Sequence, residues 1–155
     1  MSVSTIATID SPAFAAGIEH RRALVLEVSD RDLDSVRPGW RAKYAAYYGT
    51  VFARGDAALL AYDVEGEIAG SCIVSVLDEF RRTVLDRGIG YVNAMFVLER
   101  FRGRAIAAEL LDAAVAWAKA RGCAAVRLHP SPLSRAFYQR HGFQPIDEYE
   151  LRLDR

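Results

Sequence analysis

The sequence predicts an α/β domain in which a mixed sheet is covered by amphipathic helices. Two compact apolar runs, Ala57 to Val64 and Ile68 to Leu77, flank Glu65-Gly66, a two-residue turn that folds neighbouring strands into a hairpin. A third apolar run, Gly90 to Val97, is followed after a short basic stretch by a helical period, the strand-to-helix alternation of α/β folds. The length of 155 residues suits one domain spanning 1–155, and 52% hydrophobic residues are enough to fill a core.

Taken in order, Ser4 to Ile9 alternates mildly and reads as an edge strand. Ser11-Pro12 is a helix start, because Ser caps free N–H groups and Pro loses nothing at the first helical position. Phe14, Ile18, Val25 and Val28 give residues 12–28 a helical stripe. Residues 29–39 are polar and end in Pro-Gly, so a loop is expected there. Trp40 to Phe52 reads as a second helix with an aromatic stripe of Tyr44, Tyr47, Tyr48 and Val51. The hairpin follows, then a charged stretch at 78–87 read as loop, then the Gly90 to Val97 strand, apolar enough to be central. Ala105 to Arg121 is a helix whose buried face carries Ile106, Leu110, Ala114, Trp117 and Ala118, stopped by Gly122. Ala124 to Leu128 is a short strand and Ser134 to His141 a short helix. Tyr149, Leu151 and Leu153 alternate with Glu150, Arg152 and Asp154, which predicts a final strand with one solvated face.

Composition narrows the function. Lys plus Arg total 20 and Asp plus Glu total 20, so the net charge offers no attraction to nucleic acid or to an anionic membrane surface. No apolar stretch approaches the roughly 18 residues of a spanning helix, and the first residues lack a signal-peptide pattern. A soluble, cytoplasmic protein is the expectation. Cys72 and Cys123 sit in apolar surroundings and read as two buried thiols. His20, His129 and His141 have no metal-ligand spacing, so no metal is implied.

The stretch Glu99-Arg100-Phe101-Arg102-Gly103-Arg104 joins the third strand to the following helix. A Gly/Arg-rich turn opening a helix suits phosphate, since the first helical N–H groups have no intrahelical partner and the dipole there favours an anion. From Tyr91 to Phe143 the chain, VNAMFVLERFRGRAIAAELLDAAVAWAKARGCAAVRLHPSPLSRAFYQRHGF after the tyrosine, resembles the GNAT family of N-acetyltransferases. That family has a strand, then Arg/Gln-x-x-Gly-x-Gly/Ala, an amphipathic helix, a strand, and a short helix carrying Tyr before Gly-Phe. The hairpin phrase DVEGEIAG is similar to the family's usual turn. Two registers fit the signature, beginning at Arg100 or at Arg102. The second is preferred, because Arg102 lies five residues after Val97 and eight before Leu110-Leu111. It places Ala105 where the family usually has Gly, which crowds the phosphate or bends its path.

The resemblance implies a GNAT-type fold, a central mixed sheet of about six or seven strands flanked by about four helices. It implies acetyl-CoA (coenzyme A) as co-substrate and a primary amine of a small molecule or peptide as acceptor. Direct transfer in a ternary complex is expected, with a homodimer left open. Backbone groups across Arg102, Gly103, Arg104, Ala105, Ile106 and Ala107 would hold the pyrophosphate. Met95, Phe96 and Val97 would run beside the pantetheine arm as an added strand does, with an N–H near Val97 polarising the thioester carbonyl. Ser131 and Ser134 stand where the family places a polar pantetheine contact; as helix caps they need no ligand. Tyr138 would protonate the departing thiolate, a phenol pKa near 10 keeping its proton available; the alternative is a core tyrosine beside Phe137 and Phe143. Glu27 is the first candidate for the base that frees the amine, against a solvated helix carboxylate. Asn93, Tyr44 and Tyr48, with Trp40 and Tyr47, are candidates for the acceptor side. Competing functions are a non-catalytic CoA-binding sensor, a thioesterase and a protein-interaction domain.

Overall fold

The computed structural model describes residues 2–77 and 88–154, so the charged stretch 78–87 read as loop lies outside the described residues. The elements are β1 (Val3–Ile6), α1 (Pro12–Ser29), α2 (Leu33–Val36), α3 (Trp40–Ala53), β2 (Ala57–Val64), β3 (Glu67–Leu77), β4 (Ile89–Val97), α4 (Ile106–Ala120), β5 (Ala125–Leu128) and α5 (Arg135–Arg140). The strands form one sheet in the order β1-β2-β3-β4-β5. Neighbours are antiparallel up to β4, whereas β5 runs parallel to β4, the crossover being made by α4.

Local chemistry accounts for the boundaries. Ser11 Oγ accepts the Ala13 N–H at 3.2 Å ahead of Pro12, which starts α1. The β2–β3 turn places Glu65 and Gly66 at φ 53° and 87°, with Asp63 Oδ1 accepting the Gly66 N–H at 2.9 Å. One face of the sheet packs Leu60, Cys72, Val74 and Val92 against Ile106, Leu110, Ala114 and Trp117 of α4. The other packs Leu59, Ala61 and Ile73 against Phe14 of α1 and Tyr48, Val51 and Phe52 of α3. A Cβ built on Gly90 would lie 2.6 Å from the Ala118 Cβ, so α4 rests almost directly on the β4 backbone.

Three expectations are corrected. Among the described residues the sheet has five strands rather than six or seven. The missing final strand is the reason: Tyr149, Leu151 and Leu153 are 98%, 84% and 88% exposed and unpaired by any ladder. Alternation marks a strand only where a neighbour supplies hydrogen bonds and a surface to cover. The expected loop at 29–39 contains the single turn α2, started by Asp32, whose carboxylate accepts the Asp34 N–H at 3.1 Å. That raises the α-helices among the described residues to five.

One irregularity positions the site. Ile73 pairs with Asn93 but Ser71 pairs with Phe96, so Cys72 faces two residues, Ala94 and Met95, and Ala94 takes φ 53°. This bulge bends β4. The ladder to β5 covers Ile89 to Val92, so the second half of β4 has an edge without a partner strand among the described residues.

Candidate active site

The open edge of β4 carries specific backbone groups. Leu98 N–H donates to the Ala69 carbonyl at 2.9 Å, which makes that pair the hydrogen-bonded one. Antiparallel pairing alternates, so Phe96 turns its N–H and C=O toward β3 while Met95 and Val97 turn theirs to the unpaired edge. Those are the positions expected to run beside an extended ligand.

The turn after β4 closes one end of this edge. Glu99–Phe101 forms a single 3₁₀ turn, and α4 begins at Ile106 with no side-chain cap. Gly103 and Ala105 take φ 80° and 63°. Only glycine adopts that region freely, so Ala105 occupies a position with a glycine's geometry, as Gly103 does, and both registers keep a left-handed residue at their glycine position. The N–H groups of Ile106, Ala107 and Ala108 have no partner four residues back within the helix. The start of α4 therefore offers free backbone donors, and the turn at 102–105 is exposed.

Arg102 ties this end together. Its Nε donates to the Val97 carbonyl at 2.9 Å, and its terminal nitrogens donate to both Glu27 oxygens at 2.8 and 3.0 Å. The guanidinium also lies 5.4 Å from the Phe96 ring centroid. Glu27, the candidate base, thus sits beside the turn with its carboxylate engaged by Arg102.

Tyr138 is buried on α5, against Phe137 and Phe143 at ring distances of 5.1 and 5.8 Å. Burial, with a smaller contribution from Cys72, pushes the phenol up to about 12, so it keeps its proton at any ordinary pH. Cys72, which stands opposite the β4 bulge, is near enough to Tyr138 to contribute to that rise. The Ser131 and Ser134 hydroxyls bond each other at 2.9 Å, and Ser134 Oγ donates to the Ser131 carbonyl at 3.0 Å.

A cavity of about 480 Å³ lies between α1, α2 and α3, with Trp40, Tyr44, Tyr47 and Tyr48, candidates for the acceptor side, among its walls. Burial raises the phenols of Tyr44 and Tyr48, and a hydrogen bond with Asn93 opposes that rise at Tyr48. Asn93 belongs to β4, so the cavity is linked to that strand. The aromatic stripe is both core and wall: Tyr48 is 6% exposed within the core, Tyr47 61%.

Sequence reasoning missed two groups. Arg21, Arg37 and Lys43 also line the cavity, on three separate segments with no common spacing. His20 and Ser71, both buried, meet at 2.7 Å between α1 and β3, and the imidazole lies 5.5 Å from the Phe96 ring. Burial lowers the His20 pKa, with a backbone hydrogen bond at Ile68 opposing, so the ring is neutral. Among the described residues no group of side chains has a metal-binding arrangement, and no helix is long and apolar enough to cross a membrane.

Residues 24–143 match the model of the Acetyltransferase (GNAT) family. A predicted acetyltransferase from Clostridium acetobutylicum, solved with acetyl-CoA, superposes with TM-score 0.81 at 22% identity, over 98% of this chain and 96% of that one. A GCN5-related N-acetyltransferase from Ralstonia eutropha JMP134 superposes with TM-score 0.84 at 20% identity, over 98% and 97%. The structure of AAC(6')-Iy, an aminoglycoside N-acetyltransferase, with the bisubstrate analogue CoA-S-monomethyl-acetylneamine gives TM-score 0.72 at 18% identity, over 99% and 97%. No curated protein sequence matches significantly.

Proposed function

Because the chain belongs to the Acetyltransferase (GNAT) family, we propose that it transfers the acetyl group of acetyl-CoA to a primary amine of a small molecule or peptide, directly within a ternary complex. The observation that carries this reading is the meeting of two backbone donor sets. The free start of α4 lies at one end of the open β4 edge, where Met95 and Val97 turn their amides outward. Acetyl-CoA supplies a thioester, an acyl donor whose carbonyl becomes an oxyanion and whose sulfur leaves as a thiolate.

The chain's own residues then divide the work. The first N–H groups of α4, with Arg102 and Arg104 beside them, hold pyrophosphate at a dipole-favoured position. Val97 N–H stabilises charge developing on the carbonyl oxygen; its own carbonyl is held by Arg102. Tyr138 donates its proton toward the sulfur. A phenol at about 12 is a weaker acid than an alkyl thiol near 8.5, so its main contribution is a hydrogen bond to the forming thiolate. Glu27 accepts the amine proton, directly or through water, once Arg102 shifts from it toward the phosphates. The Cys72 thiol, pushed by burial up to about 12, takes no covalent part.

The test is acetyl-CoA turnover followed by thiol release with and without an amine panel, beside the melting temperature with millimolar coenzyme A. A ligand that binds only the native state raises the melting temperature by mass action. A shift together with amine-dependent release supports transfer. A shift without release points to a sensor, release without amines to a thioesterase, and no shift removes the reading.

A further inference from the structure

The cavity between α1, α2 and α3 has an unusual charge inventory for a chain whose 20 basic and 20 acidic side chains cancel. Arg21, Arg37 and Lys43 line it, and among the described residues no carboxylate does. The acids nearby are already committed. Asp32 accepts from Arg22 Nε and Nη2 at 2.9 and 2.8 Å, and the guanidinium holds its carboxyl down at about 2. Asp34 accepts the Trp40 indole N–H at 2.8 Å and also pairs with Arg41, while Glu19 takes Arg41 at 2.9 and 3.0 Å. Arg21, Arg37 and Lys43 have no ion pair or side-chain hydrogen bond among the described residues. The network formed by Arg22 and Arg41 thus removes the local acids and leaves three cations facing one concavity.

The remaining wall is aromatic, and the cavity leads toward the chemistry. Trp40 has its only donor satisfied by Asp34, so it offers the cavity an apolar face. Tyr48, deeper in, reaches Asn93 on β4. Cations at one side, aromatic rings beside them and the reactive strand beyond describe a ligand with an anion, an apolar or ring-shaped body and a reacting group. A polycation entering here meets like charge and has no carboxylate to neutralise it.

We propose that the acceptor is an amine that also carries an anion, a carboxylate or a phosphate, and that the anion docks among Arg21, Arg37 and Lys43 while the body lies against Trp40 and Tyr44. This inference rests on the acetyltransferase reading and names the class of its acceptor. The aminoglycoside acceptor of the AAC(6')-Iy neighbour, a polyamine, does not suit this cavity.

The experiment compares kcat/KM for matched amines: phenylalanine against phenylalaninamide for a carboxylate, glucosamine 6-phosphate against glucosamine for a phosphate, and spermidine as polycation. The same set is run on Arg37→Gln/Lys43→Gln and on Arg21→Gln. Coenzyme A-induced melting shifts are recorded for each protein. At least one anionic amine should exceed its neutral partner by about tenfold or more, the scale of charge-assisted hydrogen bonds. The preference should collapse in the double variant while the coenzyme A shift stays. The pair that responds identifies carboxylate or phosphate. Equal use of the neutral partners, preference for spermidine, or a preference that survives the double variant overturns the proposal. So does loss of the coenzyme A shift in the double variant, which would assign the cations to cofactor phosphates. Where no amine in the set turns over, calorimetric titration of N-acetylphenylalanine and N-acetylglucosamine 6-phosphate against their neutral counterparts, with coenzyme A present, decides. Binding without dependence on the anion, or no binding, overturns it. Absence of any coenzyme A shift in the wild type is a different result: it sinks the acetyltransferase reading itself.

Discussion

The β4–α4 junction and the α1–α3 cavity meet on one strand, at Asn93 and Val97, yet they are made of different material. The junction works with backbone: amides at the start of α4, amides of Met95 and Val97, and two residues in the left-handed region at 103 and 105. The cavity works with side chains from three helical segments, and its charge depends on which acids Arg22 and Arg41 have taken. A backbone site must be written as one contiguous run, because successive amides need successive residues with fixed conformations. A side-chain site can be scattered, and the availability of each charge is decided by neighbours far away in the chain.

Predictions can break or sharpen this contrast, and the largest concerns the exception to it. In the proposed transfer, Tyr138 works at the cofactor end through a side chain. Tyr138→Phe removes the hydrogen bond to the forming thiolate and should lower single-turnover acetyl transfer about 100- to 1,000-fold, roughly 3 to 4 kcal/mol of barrier, with coenzyme A affinity kept. A wild-type rate would leave the junction a purely backbone device. With burial holding the phenol at about 12, turnover should also show no alkaline loss near pH 10, the ordinary tyrosine range.

Next in size is Arg102, where the two kinds of material join. Arg102→Gln removes the grip on Glu27 and Val97, and coenzyme A should bind about tenfold more weakly, the exposure of both partners keeping the effect modest. Glu27→Gln separates two roles for the carboxylate. As base, it should depress kcat/KM most at low pH and move the acidic limb. An unmoved limb with weaker coenzyme A binding would make Glu27 a positioning residue for Arg102.

A smaller effect tests how the regions are fastened. His20 joins α1 to Ser71 and packs on Phe96. Its folded pKa lies below the unfolded value of about 6.5. The unfolded chain therefore binds a proton that the folded one refuses. Stability from this group is complete above about pH 6.5 and falls as pH drops toward the folded pKa, by at most about 1.4 kcal/mol per pH unit. Denaturant titrations from pH 7.5 to 5 should show that slope, and His20→Gln should flatten it.

The smallest concerns Ala105, whose φ of 63° costs an L-residue about 1–2 kcal/mol, partly offset by the greater unfolded entropy of glycine. Ala105→Gly should stabilise by up to about 1 kcal/mol, near 2–4 °C in melting temperature, and should keep or tighten coenzyme A binding. Weaker coenzyme A binding in the variant would count against the register beginning at Arg102.

The same contrast explains what could be read from the sequence. The hairpin was legible because Glu65-Gly66 permits few alternatives, and α4 because its apolar period, its turn and Gly122 agree. The bulge at Ala94 was not, since alanine carries no preference for positive φ; only the register against β3 reveals it. The alternation at 149–153 predicted a strand, but pairing is a property of a neighbour, and none reaches it among the described residues. Arg21, Arg37 and Lys43 share no spacing that would single them out in the sequence. Their convergence depends on α2, itself hidden in a polar stretch that looked like loop.

The burial of both cysteines carries over to the bench. Cys72 is fully buried with a thiol near 12, and Cys123 is 8% exposed. Thiol reagents attack an accessible thiolate, so the native protein should be nearly silent toward them. Each labelled sulfur then reports a molecule that has opened. The labelling rate at rising temperature or denaturant becomes a clock for unfolding, with two marks per chain. A ligand that selects the native state should slow that clock before any acceptor has been identified.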